Sequence, residues 1–562
     1  MMHGLPRCLA VTLVLLSAAT ASKNATTSAS DERADVCIVG AGPSGVGAAV
    51  ALADRNYSVA LLERADGVGG QAYASYTDPS SGFRLHTGAI IILTADYPRV
   101  LALARRLDID VEPYAVAFRT MMKDGRISAN GTSGTTVMME PLRPAVVDAL
   151  RRFAAAVAAV APALRARGGL PVTLHMAPAL AAPADAWLQS IGAGVLAAPA
   201  AALMYLYGYS HLADTCAGTF LNYVSLDVMM NAVPPAWVAA AGLQSSAPPG
   251  GLPVLTQFRD DIGFAEVLRR AVAALLPRGS LRLRAQIAAV ERPPPGAVGG
   301  DVVVRYRTTP EGSAAGITVT TTLHCGALIN TAGQTLSGLS YLGLDSLESA
   351  LFSHVRADRL FTTAMVVRPP LPSPAAFYVP PPGAAVRASL ARALGMAGKH
   401  SAADVTVDTV ARPAMPLLEA LVDPAPLAGD AFSVYTANPG ASNRPAGVPF
   451  TADPGVALSY HLEDYHSGAN ASAADIAARA RALLAGALLS PPGAPRRTAD
   501  VRAVTEWQYN PRPAAAAVAT GWYDRVDAIQ GRRRTFHAGG LFTFWDVEQA
   551  MRSGIDLVER FF

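Results

Sequence analysis

Five consecutive positions near the N-terminus, Asp35-Val36-Cys37-Ile38-Val39, are almost wholly apolar, and a glycine-rich turn stops them at Gly40-Ala41-Gly42-Pro43-Ser44-Gly45. An apolar run of this length bounded by a turn predicts a strand buried on both faces, as in a parallel sheet. A helix follows the turn, and Ser58-Val59-Ala60-Leu61-Leu62-Glu63 predicts a second buried strand ending in a carboxylate. Strand, turn, helix and strand together have the form of a βαβ unit. Gly40 permits the tight turn, Gly42 lets a pyrophosphate approach the backbone, and Gly45 lets the helix pack closely on the strand. Pro43 and Ser44 open the helix, whose unpaired N–H groups attract phosphate. Glu63, 18 residues beyond Gly45, stands where it can accept a hydrogen bond from a ribose hydroxyl.

Further along, the pattern predicts helices over Tyr97–Leu107, Pro144–Arg167 and Gly263–Leu276, with a kink or break at Pro162. Ala184–Val224 reads as mostly helical and carries Tyr205, Tyr207, Tyr209, His211, Phe220 and Tyr223. Residues 281–287 and 301–306 read as strands ahead of a third, Ala327-Leu328-Ile329, which runs into Asn330-Thr331-Ala332-Gly333. Phe361–Val367 and Val456–Tyr460 read as strands, Ala473–Leu489 as a helix, and Pro369–Pro374 and Pro380–Pro382 as connections.

Three blocks resemble the FAD-dependent amine oxidoreductases, the flavin monoamine oxidase-like superfamily. The first continues from Glu63-Arg64 through the glycine pair Gly69-Gly70 and Gln71 to the turn His86-Thr87-Gly88-Ala89. The second is the strand set ending at Ala332. The third runs from Arg534 through Gly539-Gly540 and Trp545-Asp546-Val547 to Gly554. The closest likeness is to the β-cyclopiazonate dehydrogenase-like and polyenoic fatty acid isomerase-like branch, carried by Ala74–Pro79, Trp507–Pro511 and Gln530–Phe562.

The resemblance implies an α/β fold. A Rossmann-type FAD-binding domain of the glutathione-reductase type (22–95, 276–340 and 500–562) would hold an inserted α+β substrate domain (96–275 and 341–499). It implies non-covalent FAD held by Gly40, Gly42, Pro43, Ser44, Gly45, Glu63, Arg64, Gly70, Gln71, Gly88, Ala89, Ile287, Ala332, Gly539, Gly540, Asp546 and Val547. The helix beginning near Val547 would face the flavin pyrimidine edge, where reduced flavin is anionic. Tyr205, Tyr209, Trp507, Tyr509 and Trp545 are candidate pocket residues, with packing in the core as the alternative. His86 is a candidate acid/base, with a hydrogen-bonded structural role as the alternative.

The chain departs from the family at three places. Gln71 replaces an arginine, Gly540 replaces an acid, and the strand Phe361–Val367 carries threonines where several amine oxidases place a lysine. The expected reaction is therefore hydride transfer from a largely apolar small molecule to flavin N5. A redox-neutral isomerase of unsaturated fatty acids, an amine oxidase and a non-enzymatic glycoprotein with a vestigial flavin fold stand as alternatives.

Composition refines this picture. The 562 residues are 51% hydrophobic and 16% charged, which suits a large globular protein. A net charge of +3 gives no case for nucleic acid. The first 21 residues have a signal-peptide form: Arg7, an apolar run from Cys8 to Leu16, and Ala19-Thr20-Ala21. That run is too short to demand a membrane span. Sequons at Asn24, Asn56, Asn130 and Asn470 agree with a secreted or endomembrane-lumen route. Beyond the signal only Cys37, Cys216 and Cys325 remain. They suggest neither a disulfide framework nor a metal site, Cys37 and Cys325 read as inert core residues, and no cysteine lies near the third block to tether a flavin. Oligomeric state is not legible.

Overall fold

A computed structural model describes residues 31–73, 75–77, 84–89, 92–93, 95–113, 117–120, 143–206, 209, 211–244, 255–259, 262–297, 299–309, 318–369, 375–379, 431–436, 456–463, 470–485 and 497–562. The signal-like segment, Asn24, Asn130 and the side chain of Tyr205 lie outside the described residues.

In chain order, β1 (Asp31–Val39), α1 (Pro43–Ala53) and β2 (Val59–Leu62) form the predicted βαβ unit. Next come α2 (Pro98–Arg106), α3 (Arg143–Arg165) and α4 (Phe264–Leu275). The strands β3 (Leu281–Arg282), β4 (Gln286–Glu291), β5 (Val302–Thr308) and β6 (Val319–Asn330) return to the first sheet. After them lie β7 (Val355–Arg368), β8 (Val456–Glu463), α5 (Ala473–Ala485), β9 (Thr498–Pro513), β10 (Thr535–His537) and α6 (Val547–Phe561).

The first sheet has the order β4-β5-β6-β1-β2-β3, with β10 also paired to β6. β1 runs parallel to both β2 and β6. The apolar run does what its composition dictates: Val36, Cys37, Ile38 and Val39 are all buried, and so is every residue of β2. The C-terminal ends of β1 and β6 lie side by side, Val39 against Asn330, so the glycine turn and the turn after Asn330 share one edge. α1 and α6 pack on each other through glycines. A Cβ on Gly47 would come within 2.9 Å of the Met551 carbonyl, and one on Gly554 would strike the Ser44 carbonyl.

A second, six-stranded sheet has the order β9-β7-β8, then strands Ala431–Thr436, Ala375–Val379 and Ala117–Thr120. α5 covers one face, where Phe361 packs with Ile476. The other face, with Leu360, Ala364, Leu458 and Tyr460, joins the main core.

Three sequence expectations are corrected. The segment 281–287 is two strands, because Arg284 takes φ +53° and Arg284 and Ala285 donate backbone bonds to Ala65 and Glu63 (both 2.8 Å). β3 therefore extends the parallel sheet while β4 turns antiparallel to β5. Helix α3 is not broken at Pro162, which sits on an exposed position within its last turn, so few hydrogen bonds depend on it. Ala184–Val224 divides into short helices, among them Ala184–Ser190, Ala197–Leu206 and Ala217–Leu221.

A further correction is covalent. Cys37 and Cys325 are buried as expected, but they are joined in a disulfide with Cα atoms 5.7 Å apart. The bond ties β1 to β6 across 288 residues of sequence. On a chain-entropy account, closing a loop of this length restrains the unfolded chain by on the order of 5 kcal/mol. Cys216 is the free, buried thiol. A denatured chain lacking its first 21 residues is therefore expected to titrate one thiol with a disulfide reagent before reduction and three after. Three thiols without reduction would contradict the bond.

Candidate functional site

The glycine turn is shaped by contacts that only glycine tolerates. Gly40 has φ +101°, and a Cβ there would lie 2.8 Å from Thr331 Oγ1. A Cβ on Gly45 would collide with the Gly40 carbonyl. Gly42 faces Gly70 so closely that a Cβ on Gly70 would lie 3.0 Å from the Gly42 Cα. The two glycine segments are stitched by Gly69 N–H donating to the Ala41 carbonyl (2.8 Å). Thr331 Oγ1 donates to the Val39 and Gly40 carbonyls (2.9 and 3.0 Å), fixing the β6 turn against the β1 turn.

Helix α1 opens with Pro43 and has no side-chain cap and no acid in its first turn. Its N–H dipole is thus left for an anion. Ser44 is buried there, and its hydroxyl has no hydrogen-bond partner among the described residues. A narrow glycine cradle beside a helix N-terminus and an unsatisfied buried hydroxyl fits a pyrophosphate.

Glu63 is buried at the end of β2 and accepts from Ala41 N–H (2.8 Å) and Ala65 N–H (2.9 Å). A carboxylate has about four acceptor positions, so two remain for a pair of hydroxyls. Ala285 N–H reaches the Glu63 carbonyl, which brings half-buried Ile287 to the same end. Arg64 is exposed.

The third block meets the first at the same edge. Gly539 has φ +140°, and a Cβ there would meet the Gln334 amide at 2.5 Å. Gln334 in turn donates to the Ala538 carbonyl. Ala332 lies beside the Gly40 turn, and a Cβ on Gly540 would strike the Trp545 ring. Asp546 caps α6 by accepting from Gln549 N–H (2.6 Å), and Val547 behind it is buried.

Gln71 has a role the sequence did not disclose. Its Nε2 donates to the Gln508 carbonyl on β9 (2.7 Å), and its Oε1 accepts from the Trp545 indole (2.7 Å). It thereby links the glycine pair, the second sheet and the approach to α6. Gly88 packs against the Gln71 carbonyl, and Tyr460 Oη donates to the Gly88 carbonyl (2.8 Å). His86 rests against Gly263 at the start of α4, where a Cβ would come 2.5 Å from its ring.

Next to α6 stands an aromatic cluster. Tyr209 lies 4.5 Å from Phe544, 4.8 Å from Tyr223 and 5.8 Å from Tyr509, ring centre to ring centre, and Tyr223 stacks on Phe544 at 4.9 Å. Two of the proposed pocket residues, Tyr209 and Tyr509, thus meet. Trp507 bonds Thr362 Oγ1 across the sheet (3.2 Å), and Trp545 bonds Gln71. Phe544 escaped sequence reasoning, although it lies only two residues before the α6 cap.

Carboxylates that sequence reading missed surround this cluster. Asp358 on β7 is buried and paired to Arg512 on β9 at 2.7 and 3.3 Å. Asp214 stands 4.0 Å from the same guanidinium. Asn510, between Tyr509 and Arg512, is buried at φ +46°, a strained conformation of the kind that collects at functional sites. Burial drives Asp546 well above the ordinary carboxylate range, with Glu548 and Asp96 adding to the effect. Burial likewise pushes the Tyr209 and Tyr509 phenols up. Glu548 receives Arg99 N–H (3.0 Å) and Val100 N–H (2.9 Å) at the start of α2.

Residues 38–107 match the family profile described as an NAD(P)-binding Rossmann-like domain. A CLA-producing fatty acid isomerase from P. acnes is similar in structure, with TM-score 0.65 and 19% identity over 94% of this chain and 99% of that one. The fold is that of this isomerase, shared with two amine oxidases. Putrescine oxidase bound to putrescine gives TM-score 0.54 and 16% identity, covering 94% and 99% of the two chains. Cyclohexylamine oxidase from Brevibacterium oxydans IH-35A gives 0.53 and 13%, covering 94% and 98%. No curated protein matches by sequence.

The acids make stability depend on pH. Burial raises Asp96 to about 6, helped by Asp227 and Glu548 and opposed by a hydrogen bond from Ser225. Its folded value exceeds its unfolded one. The stability it contributes is complete below about pH 4 and is lost as pH rises through about 6. Asp96→Asn is expected to stabilise the protein by roughly 1–3 kcal/mol at pH 7.5 and by little at pH 4. Denaturant melts at both values check this, and an equal effect at both would contradict it.

Proposed function

We propose that this chain is an FAD-dependent oxidoreductase of the secretory pathway that acts on a largely apolar small molecule. On this reading 22–95, 276–340 and 500–562 form the discontinuous FAD-binding domain, and 96–275 with 341–499 form the substrate domain. The observation that carries the proposal is the convergence of the cradle Gly42–Gly70, the unpartnered Ser44 hydroxyl and the half-used Glu63 carboxylate on one sheet edge. The α6 terminus supports it from the other block.

FAD, when bound, supplies a hydride acceptor at N5. The chain's own groups do the rest. Gly40, Gly42, Gly45 and Ser44 would take the pyrophosphate, Glu63 the ribose, and the α6 terminus at Asp546–Val547 the pyrimidine edge. Tyr209, Tyr223, Tyr509 and Phe544 would wall the substrate side and exclude water.

The charge state of that wall supports an apolar substrate. Asp358 is already matched by Arg512, burial favours the neutral form of Asp546, and both phenols are held neutral. Among the described residues this leaves little unmatched negative charge at the wall for an ammonium group. Redox-neutral isomerisation of an unsaturated fatty acid is the second reading, favoured by the likeness to the fatty acid isomerase. The signal-like N-terminus and the buried disulfide support a secretory route, since disulfides persist in oxidising compartments.

Purified protein is expected to show a flavin spectrum and to release FAD on denaturation. Colourless protein that gains no flavin on refolding with FAD would contradict the proposal. Glu63→Ala should weaken FAD binding by about 1.5–3 kcal/mol, the scale of a charged hydrogen bond, and unchanged affinity would remove Glu63 from the site. In anaerobic mixing, unsaturated fatty acids or prenylated and aromatic metabolites should bleach the flavin or be isomerised, with benzylamine and spermine poor. Rapid peroxide release from the amines, with no response to any apolar ligand, would establish an amine oxidase instead.

A further inference from the structure

We propose that Asn56 carries an N-linked glycan, on the sheet edge opposite the cofactor crevice. The proposal rests on the secretory route put forward above and is independent of the reaction.

Asn56-Tyr57-Ser58 is a sequon placed on the turn between α1 and β2. Asn56 is exposed and takes φ +64°. Its backbone ends α1, with Asn56 N–H donating to Ala53 and Tyr57 N–H to Leu52. Its side-chain amide has no partner among the described residues.

Both following residues are anchored. Tyr57 packs edge-on against Phe562 and donates its hydroxyl to the Phe562 carbonyl (3.1 Å). Ser58 donates its backbone N–H and its hydroxyl to Asp35 (both 2.7 Å). The turn is thus fixed, and the amide at its tip is free to project. At Asn470 the amide differs: its oxygen accepts from Arg359 (3.3 Å).

Position decides whether a glycan there is compatible with the proposed site. β1 and β2 run parallel, and the site lies beyond their C-terminal ends at Gly40 and Glu63. Asn56 precedes the N-terminal end of β2. Six residues of largely extended chain separate it from Glu63, on the order of 20 Å. A glycan at Asn56 leaves the crevice open.

The transfer balances with a lipid-linked oligosaccharide pyrophosphate as donor, present in the secretory lumen. The sugar C1–O bond to the pyrophosphate breaks, a C1–Nδ2 bond forms, and Nδ2 loses one proton as the lipid pyrophosphate leaves.

Asparagine is also common in the left-handed region for backbone reasons alone, so a purely conformational role is the competing account. The test is the full chain secreted from a eukaryotic host. Glycans are removed enzymatically in heavy-oxygen water, and the peptide holding Asn56 is read by mass spectrometry. Conversion of Asn56 to labelled Asp is the expected result. Asn56→Asp, which keeps a residue tolerant of this backbone, should lose one glycan-sized step in mobility with flavin content unchanged. A cleaved signal or glycans at other sequons with Asn56 bare would overturn the inference and leave the secretory reading intact. Retention of Met1 with no glycan anywhere would overturn both.

Discussion

The close approach of two glycine backbones, Gly42 and Gly70, is the constraint on which the rest of the site depends. Any side chain at Gly70 would push the glycine pair away from the α1 terminus. The cradle would then lose the width that a pyrophosphate needs. Gly40 and Gly45 set the direction of the turn, and Thr331 holds it from the neighbouring strand. These are steric requirements, so they are visible as glycines in the sequence. Their partners are set by topology: Gly42 meets Gly70 because β1 and β2 are parallel neighbours.

Long-range ties keep that edge assembled. The Cys37–Cys325 disulfide sits three residues before Gly40 on one strand and five before Asn330 on the other. Gln71 fastens the glycine pair to β9 and to Trp545, and Glu548 fastens α6 to the start of α2. The second sheet therefore reaches the first through polar contacts at the site itself as well as through the apolar core. A change at Gln71 should act on both sheets at once.

Much of the first sheet was legible, because buried parallel strands and glycine turns leave strong local signals. β1, α1 and β2 lie where the pattern placed them, and the strand ahead of Gly539 pairs with β6, His537 against Asn330. What escaped depends on contacts between distant residues. Nothing near Arg284 announces a left-handed residue that splits one strand into two. Cys37 and Cys325 read as separate core residues until β1 and β6 stand side by side. Asp358 and Arg512 lie 154 positions apart and pair only because β7 and β9 are neighbours. Folding brings Asp546 and Asp358 to Tyr509, and it is burial and Arg512 that keep their charge from dominating.

The central claim is that the three blocks form one site for a flavin dinucleotide, and ligand selectivity tests it most directly. Calorimetric titration of flavin-stripped protein with FAD, FMN and NAD would compare the pyrophosphate cradle, the ribose carboxylate and the flavin-facing α6 terminus in one experiment. The structure predicts one FAD per chain, bound far more tightly than FMN, which lacks the adenylate half, and than NAD, which lacks the flavin. Tighter binding of NAD, or equal binding of FMN and FAD, would contradict the account.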